Sequence, residues 1–377
     1  MTVLRIGVVG LGAIAQSVHL PLLSRRWDLF EIAAVADASP SLRASIGEQY
    51  GIGPGHRHES LAALLDSESL DAVVLLTSGS HGTDALAAIR QGVPVLCEKP
   101  LAYSVREAEE LRAAEEAQGR PMLLLGYMKE YDPAVLALGS TLPPAEGVRY
   151  VGVEVLHPSG ASQLAYANLR PAAGDVPAEA LARFRDADRT HLDAALGGEA
   201  PDLARRLYAN VVLGSLIHDI ALVRSLFGPL RTVEAVRHWA PQDDPGSIEV
   251  AGTLGSGARF HLNWHYMADY PEYRETVTVH HTEGSAELTF GVPYLLNSPT
   301  RLRTVEREGA GVVVRERNDV TEAFETEWEA FHAMVTQKQP PPTGIPEGTT
   351  DLRTAQKIMR VLLDGMGMEA AGEVAGA

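Results

Sequence analysis

The sequence predicts an α/β protein in two parts, a doubly wound parallel sheet over residues 1–125 and an α+β domain with an open, mostly antiparallel sheet over residues 126–377. Three observations carry this. Over the first part, short β-rich runs alternate with helical stretches, the pattern of parallel strands joined by crossover helices. A glycine-rich turn joins the first strand to the first helix. Beyond "GYMKEYDPAV", strand runs follow one another across short turns such as "LGSGAR" and "TEGSAE", which favours antiparallel neighbours.

In the first part the expected strands are Leu4–Val9, Glu31–Ala36, Asp71–Leu76, Val93–Cys97 and Met122–Leu125. Ala13–Ser24, Ser41–Tyr50, Leu61–Asp66, Thr83–Gln91 and Val105–Gln118 read as helices, and Gly51, Gly92 and Gly119 stand where helices stop. The second part offers Val148–Leu156, Val233–Trp239, Glu249–Leu254, Arg259–Tyr266, Thr276–His281 and Ala286–Phe290 as strands. Helices are expected through Asp202–Phe227, Thr321–Thr336 and Thr350–Gly365. Residues 157–200, rich in Pro, Gly, Asp and Ala with one helix at Pro177–Ala187, have the profile of an inserted loop or lid. "TQKQPPPTGIPEG" reads as a linker, "EAAGEVAGA" as a frayed tail and "HRH" at 56–58 as a loop or edge strand.

Composition narrows the function classes. The 377 residues carry 49 acidic against 32 basic side chains, a formal net charge of −17, with no Lys/Arg cluster to follow a phosphate backbone. A nucleic-acid partner is therefore not expected. A single cysteine, Cys97, forms no internal disulfide, and the 13 histidines show no zinc spacing, so no metal is assigned. No signal peptide and no apolar run of bilayer length is read from the sequence, so the expectation is a cytoplasmic protein without a membrane partner.

"IGVVGLGAIA" places Gly10-x-Gly12-x-x-Ala15 between strand and helix. Gly10 permits a tight turn, Gly12 lets the backbone approach a pyrophosphate, and Ala15 lets helix and strand pack closely. The helix start, with Ala13 and Ile14, faces the anion. Asp37 ends the second strand about 20 residues on, where a carboxylate accepts hydrogen bonds from the adenosine ribose. Ala38 and Ser39 beside it bring no cation for a 2′-phosphate, so NAD is expected over NADP. Thr77 and Ser78 follow the Asp71–Leu76 strand and would reach the nucleotide, while His81 caps the next helix or touches the ribose. His19 reads as a hydrogen-bonded histidine at a helix end. In "VPVLCEKPLA", Pro100 ends the strand and holds Lys99 at its tip, where ligands bind in parallel sheets.

With the fingerprint, the second-strand acid and "EKP" in order, the chain resembles the Gfo/Idh/MocA family of glucose-fructose oxidoreductases and inositol dehydrogenases. "GYMKEYDPAV" and "LIHDIALVRSLFG" extend the likeness into the second part. The resemblance implies a Rossmann domain, a sheet-bearing domain that binds a sugar, cyclitol or related polyol, and a homodimer or homotetramer. It gives Lys99 the task of stabilising a developing alkoxide. Glu98 then binds ribose or orients that lysine.

The family pairs Asp and His one helical turn apart; in "GSLIH" the histidine is His218, the expected general base, but Gly214 stands where the acid belongs. Lys129, Tyr131, Tyr208 and Asn210 are further substrate-binding candidates. In "RFHLNWHYM", Phe260, Leu262 and Trp264 share one strand face, opposite His261, Asn263 and His265. The function expected is hydride transfer between a secondary alcohol of a sugar, cyclitol or glycoside and NAD. The alternatives are a redox-neutral glycoside-cleaving enzyme with held NAD and a non-catalytic NAD or sugar sensor, the latter suggested by Gly214.

Overall fold

The computed structural model describes residues 2–239 and 245–377. In chain order its elements begin with β1 (Leu4–Val9), a π-helical stretch Ala15–His19 running into α1 (Leu20–Arg25), β2 (Phe30–Ala36), α2 (Pro40–Gln49), β3 (Arg57–His58) and α3 (Leu61–Ser67). They continue through β4 (Ala72–Leu75), α4 (Gly82–Arg90), β5 (Val95–Glu98), α5 (Val105–Gln118), β6 (Leu123–Gly126), α6 (Pro133–Thr141), β7 (Val148–His157), α7 (Gly160–Leu164) and α8 (Ala178–Leu196). Next come α9 (Asp202–Arg206), a second π-helical run Leu207–Leu216, α10 (Ile217–Phe227), and strands β8 (Leu230–Trp239), β9 (Ser247–Leu254), β10 (Arg259–Tyr266), β11 (Arg274–His281) and β12 (Gly284–Phe290). Last are β13 (Arg301–Glu308), β14 (Gly311–Asn318), α11 (Ala323–Gln337) and α12 (Ile345–Gly365).

The chain divides into two compact units. The first joins residues up to Tyr127 with Ala167–Gly198 and Glu327–Thr349; the second holds Met128–Tyr166, Glu199–Thr326 and Thr350–Ala377. This departs from two contiguous domains. The 157–200 stretch is not one insert of the second part, because most of it packs with the first unit.

In the first unit six parallel strands take the order β3-β2-β1-β4-β5-β6. β4, β5 and β6 are buried along their whole length, as expected of strands covered on both faces. β2 and β4 flank β1, so the order reverses there and the turn after β1 opens at the topological switch point. Local chemistry fixes the helix ends. Ser39 caps α2 with Pro40 in its first turn, Ser104 and Glu107 form a reciprocal capping box on α5, and Gly119 ends α5 in the left-handed region. "HRH" contributes β3 at the sheet edge. The stretch read as a linker is held instead: the Leu125 amide donates to the Thr343 carbonyl at 3.1 Å, and the Thr343 hydroxyl donates to the Leu125 carbonyl at 2.7 Å. It thereby covers the free edge of β6, and α12 starts at Ile345, earlier than the sequence indicates.

In the second unit eight strands run β14-β13-β12-β11-β7-β10-β9-β8, antiparallel except for the β7–β10 pair. Phe260, Leu262 and Trp264 are buried while His261 on the opposite face is exposed, the alternation expected of a sheet with one covered face. β13 and β14 escape a reading by apolar alternation because Arg and Glu fill them. Such charge blunts a sheet edge against further pairing.

Other expectations are corrected. α8 runs to Leu196, well past Ala187. Residues Gly372–Gly376 form a 3-10 turn with Val374 fully buried, and Gln356 donates to Glu373 at 2.6 Å, so this segment is docked and not frayed. One helical run, Asp202–Phe227, is long and apolar enough by length and composition to cross a membrane, contrary to the sequence reading. More than half of it is buried within the protein, with Val211, Val212, Leu216 and Ile220 in the core.

Candidate functional site

In the first unit the glycine-rich turn leaves β1 through Gly10, whose φ is +89°. A Cβ there would lie 2.7 Å from the backbone of Leu76 and Thr77, so only glycine lets β1 and β4 approach so closely. Gly12 is exposed, and a Cβ on it would meet nothing within 4 Å. Ala15 is fully buried beneath the π-helical stretch that opens this helix. The turn therefore keeps the backbone of Gly12, Ala13 and Ile14 open at a helix start, an arrangement that fits a pyrophosphate. The π-helical start replaces the plain α-helix expected over Ala13–Ser24, a departure common beside functional sites.

Asp37 closes the turn from the other side. Its two oxygens accept the Leu11 and Ser39 amides, each at 2.8 Å, which sets the carboxylate at the end of β2 beside the turn. Each oxygen keeps a further lone pair for a ribose hydroxyl. Thr77 and Ser78 lie in the loop after β4, half-buried and exposed respectively.

His81 is placed otherwise than expected. Its ring is buried, with Nδ1 2.8 Å from the Pro100 carbonyl and Nε2 2.9 Å from the Thr77 carbonyl, and it makes no side-chain cap on α4. It ties the loop after β4 to the loop after β5, and so positions that edge without facing a ligand.

Glu98 ends β5, Lys99 follows it directly, and the Lys99–Pro100 peptide is cis. Glu98 is buried, so it is not presented to a ribose. It accepts from His19 Nε2 at 3.1 Å and from the Lys99 amide at 3.2 Å. Trp328 Nε1 donates to His19 Nδ1 at 3.1 Å, which leaves the ring proton on Nε2, facing Glu98. Burial pushes the Glu98 carboxyl up, but the hydrogen bond from His19 and the positive charge of Lys99 outweigh it and hold it below the usual range. Glu327, fully buried, is pushed well above that range by burial and by the Glu98 charge. The carboxylate next to Lys99 is thus fixed in the core, and the lysine, half-buried, leaves the sheet at its carboxyl end.

In the second unit Lys129 is buried and gives its ammonium to Asp219 at 2.9 Å and Glu275 at 2.5 Å. Tyr273 donates to the other Glu275 oxygen at 2.7 Å, and the Phe290 ring lies 5.3 Å from the ammonium. Burial lowers the Lys129 pKa, yet the two acids more than offset it and the net direction is upward. Burial, then the Glu275 charge, pushes Asp219 well above the usual carboxylate range. Lys129 is accordingly a core ion-pair member, not an open substrate contact. Tyr131 and Tyr208 are buried as well, whereas Asn210 is exposed.

His218 sits half-buried in the first turn of α10, directly before Asp219. Gly214 and Asn210 lie in the π-helical run before it, so the four-residue stripe Asn210, Gly214, His218 assumed for an α-helix does not hold. A Cβ on Gly214 would stand 3.2 Å from the Ala209 carbonyl oxygen, tighter than ordinary packing. Nearby, Trp264 Nε1 donates to Ser215 at 2.9 Å, and His157 packs against Trp264 with ring centroids 5.1 Å apart. The joining of Asp219, Glu275 and Tyr273 in one network escapes a reading of the sequence. Of the three, Asp219 alone carries a sequence signal, an acid within the apolar stretch "LIHDIAL". Among the described residues no group of three His, Cys, Asp or Glu side chains is gathered to hold a metal.

Residues 4–127 match the model of an oxidoreductase family with an NAD-binding Rossmann fold, Gfo/Idh/MocA. This segment is similar to the Gfo/Idh/MocA family. Its curated relatives include an inositol 2-dehydrogenase of Cereibacter sphaeroides, 38% identical over 141 residues, or 37% of this chain and 41% of that protein. Another, from Burkholderia ambifaria, is 36% identical over 139 residues, 36% of this chain and 40% of that one. The matched stretch thus spans about two-fifths of these relatives. Over nearly the whole chain the fold is similar to an aldose-aldose oxidoreductase from Caulobacter crescentus, with TM-score 0.71, 20% identity, and coverage of 98% of this chain and 100% of that one. It is similar too to a UDP-N-acetylglucosamine 3-dehydrogenase from Acidithiobacillus ferrooxidans, with TM-score 0.69, 20% identity and coverage of 96% and 98%. The Gfo/Idh/MocA likeness accounts for the turn, for Asp37 and for the "EKP" strand tip, all of which lie inside the matched segment.

Proposed function

We propose that the chain is an NAD-dependent oxidoreductase that moves a hydride between a secondary alcohol of a sugar, cyclitol or glycoside and nicotinamide. The observation that carries the reading is the first unit's carboxyl edge, where an open glycine turn and Asp37 fit a dinucleotide and Lys99 stands at the next strand tip but one. The names of the relatives, inositol and sugar dehydrogenases, supply the substrate class. When bound, nicotinamide accepts or returns the hydride.

The residues of this chain supply the remaining chemistry. Gly12, Ala13 and Ile14 hold the pyrophosphate, and Asp37 holds the adenosine ribose, which favours NAD over NADP. Thr77 and Ser78 border the nucleotide. Lys99 stabilises the negative charge that grows on the alcohol oxygen, an interaction far stronger in a site without water than in bulk solvent. Glu98 acts through the backbone: it accepts the Lys99 amide and is itself held by His19, so it positions the lysine. His218 takes the hydroxyl proton as general base. The chain carries glycine at 214 in place of the acid that the family pairs with this histidine, which favours a larger substrate such as a glycoside or nucleotide sugar.

The test follows nicotinamide absorbance while the purified protein and NAD meet cyclitols, free sugars, glycosides and nucleotide sugars. Reduction by at least one of these classes is expected. Tight NAD binding with no reduction across the panel would contradict the dehydrogenase reading.

A further inference from the structure

The segment Ala167–Gly198 packs with the nucleotide unit although the sequence around it serves the second unit. It is tied down on both sides of the glycine turn. On one side the Arg170 amide donates to Gln16 at 2.8 Å, Gln16 donates back to the Arg170 carbonyl at 3.1 Å, and the Arg170 side chain reaches Gln49 at 2.9 Å. On the other, Asp175 accepts the Ser39 hydroxyl at 2.5 Å and the Ser41 amide at 2.8 Å.

Ser39 and Ser41 are not arbitrary partners. Ser39 follows Asp37, gives its amide to that carboxylate and caps α2, so its hydroxyl and the Ser41 amide are the free donors of a helix N-terminus. The Arg43 guanidinium lies against the Asp37 carbonyl on the same turn. A hydroxyl, an amide and a guanidinium beside the ribose acid form the donor set that a 2′-phosphate would use. In this chain an internal carboxylate already occupies the hydroxyl and the amide. The Asp175 carboxyl is held below its usual range by those two donors, so it carries its charge at neutral pH.

We propose that Asp175 is a cofactor-specificity residue: it fills the anion position at the start of α2 and, together with Asp37, excludes a 2′-phosphate, so that NAD binds and NADP does not. The proposal rests on the dinucleotide reading above. It goes beyond Asp37 because the excluding charge comes from a segment more than a hundred residues away in sequence.

The experiment titrates the full chain with NADH and, separately, NADPH, reading nicotinamide fluorescence, for the native protein, Asp175→Ser and Asp175→Asn. The serine variant empties the position, whereas the asparagine variant keeps its shape and removes its charge. Native protein should bind NADH at least about tenfold more tightly than NADPH, since a single charge-assisted hydrogen bond is worth that factor. Both variants should tighten NADPH by about tenfold or more and change NADH by less than about threefold. An equal change for both cofactors, or no change for NADPH, would overturn the proposal and leave Asp175 a structural tether. Failure of the native protein to bind NADH would overturn the dinucleotide reading itself, a result distinct from the other two.

Discussion

The two units bury ionisable groups in different ways. In the first, His19, Glu98 and Trp328 form a chain of hydrogen bonds in which one acid meets one histidine, and the acid stays below its usual pKa range. In the second, one ammonium, Lys129, serves two acids, and Asp219 is driven well above its range. The first arrangement holds a strand-tip lysine by its backbone. The second consumes its lysine as structure, and His218 next to the cluster is half-buried. What differs is the count of charges per partner.

The contrast is broken most severely by Lys129→Ala. Two buried carboxyls would lose their cation, which costs about 3–5 kcal/mol of folding stability by urea unfolding. Replacing Lys129, Asp219 and Glu275 together by apolar residues of similar size should recover most of that loss. If Lys129→Ala were silent, the cluster would not be the core feature described.

Gly10→Ala comes next. The new methyl would press on the Leu76 and Thr77 backbone at a φ of +89°, so a loss of about 2–3 kcal/mol is expected, together with loss of NADH binding measured by fluorescence. Unchanged NADH affinity would separate the turn from the cofactor.

The smallest effect concerns pH, and its sign differs between the two clusters. Glu98 has a depressed folded pKa, so its contribution is present above the ordinary carboxyl value of about 4.3 and is lost as pH falls through the folded value. Asp219 has a raised folded pKa, so its contribution is complete below about 3.9 and is lost as pH rises through the folded value. Urea unfolding between about pH 2 and 7 should therefore show the stability gap between native protein and Glu98→Gln constant above about pH 4 and narrowing below it. The gap to Asp219→Asn should narrow toward neutral pH. Parallel trends for the two variants would contradict the opposite charge states.

The same contrast explains what the sequence discloses. The glycine turn, Asp37 and the strand-tip Lys99 are read from short stretches, because a tight turn, a strand end and a proline are local constraints. The helix stops at Gly51, Gly92 and Gly119 are legible for the same reason, and all three have positive φ. Lys129 looks like a cleft residue in "GYMKEYDPAV" because its partners lie 90 and 146 positions away, beyond any local pattern. His81 misleads in the same manner, as its ring is satisfied by carbonyls that the sequence does not display. The π-helical run before His218 shifts the face on which Gly214 and Asn210 lie, and no residue type in it announces that geometry. β13 and β14 are hidden by their own charges.

The central claim of the proposed function is that Lys99 stabilises the charge that grows on the substrate oxygen. It is tested most directly by measuring, for Lys99→Ala against the native protein, kcat with the best substrate of the panel and the Kd for NADH. The account predicts a fall in kcat of about 10²–10³-fold with an NADH Kd within about threefold of native. An unchanged kcat would contradict it.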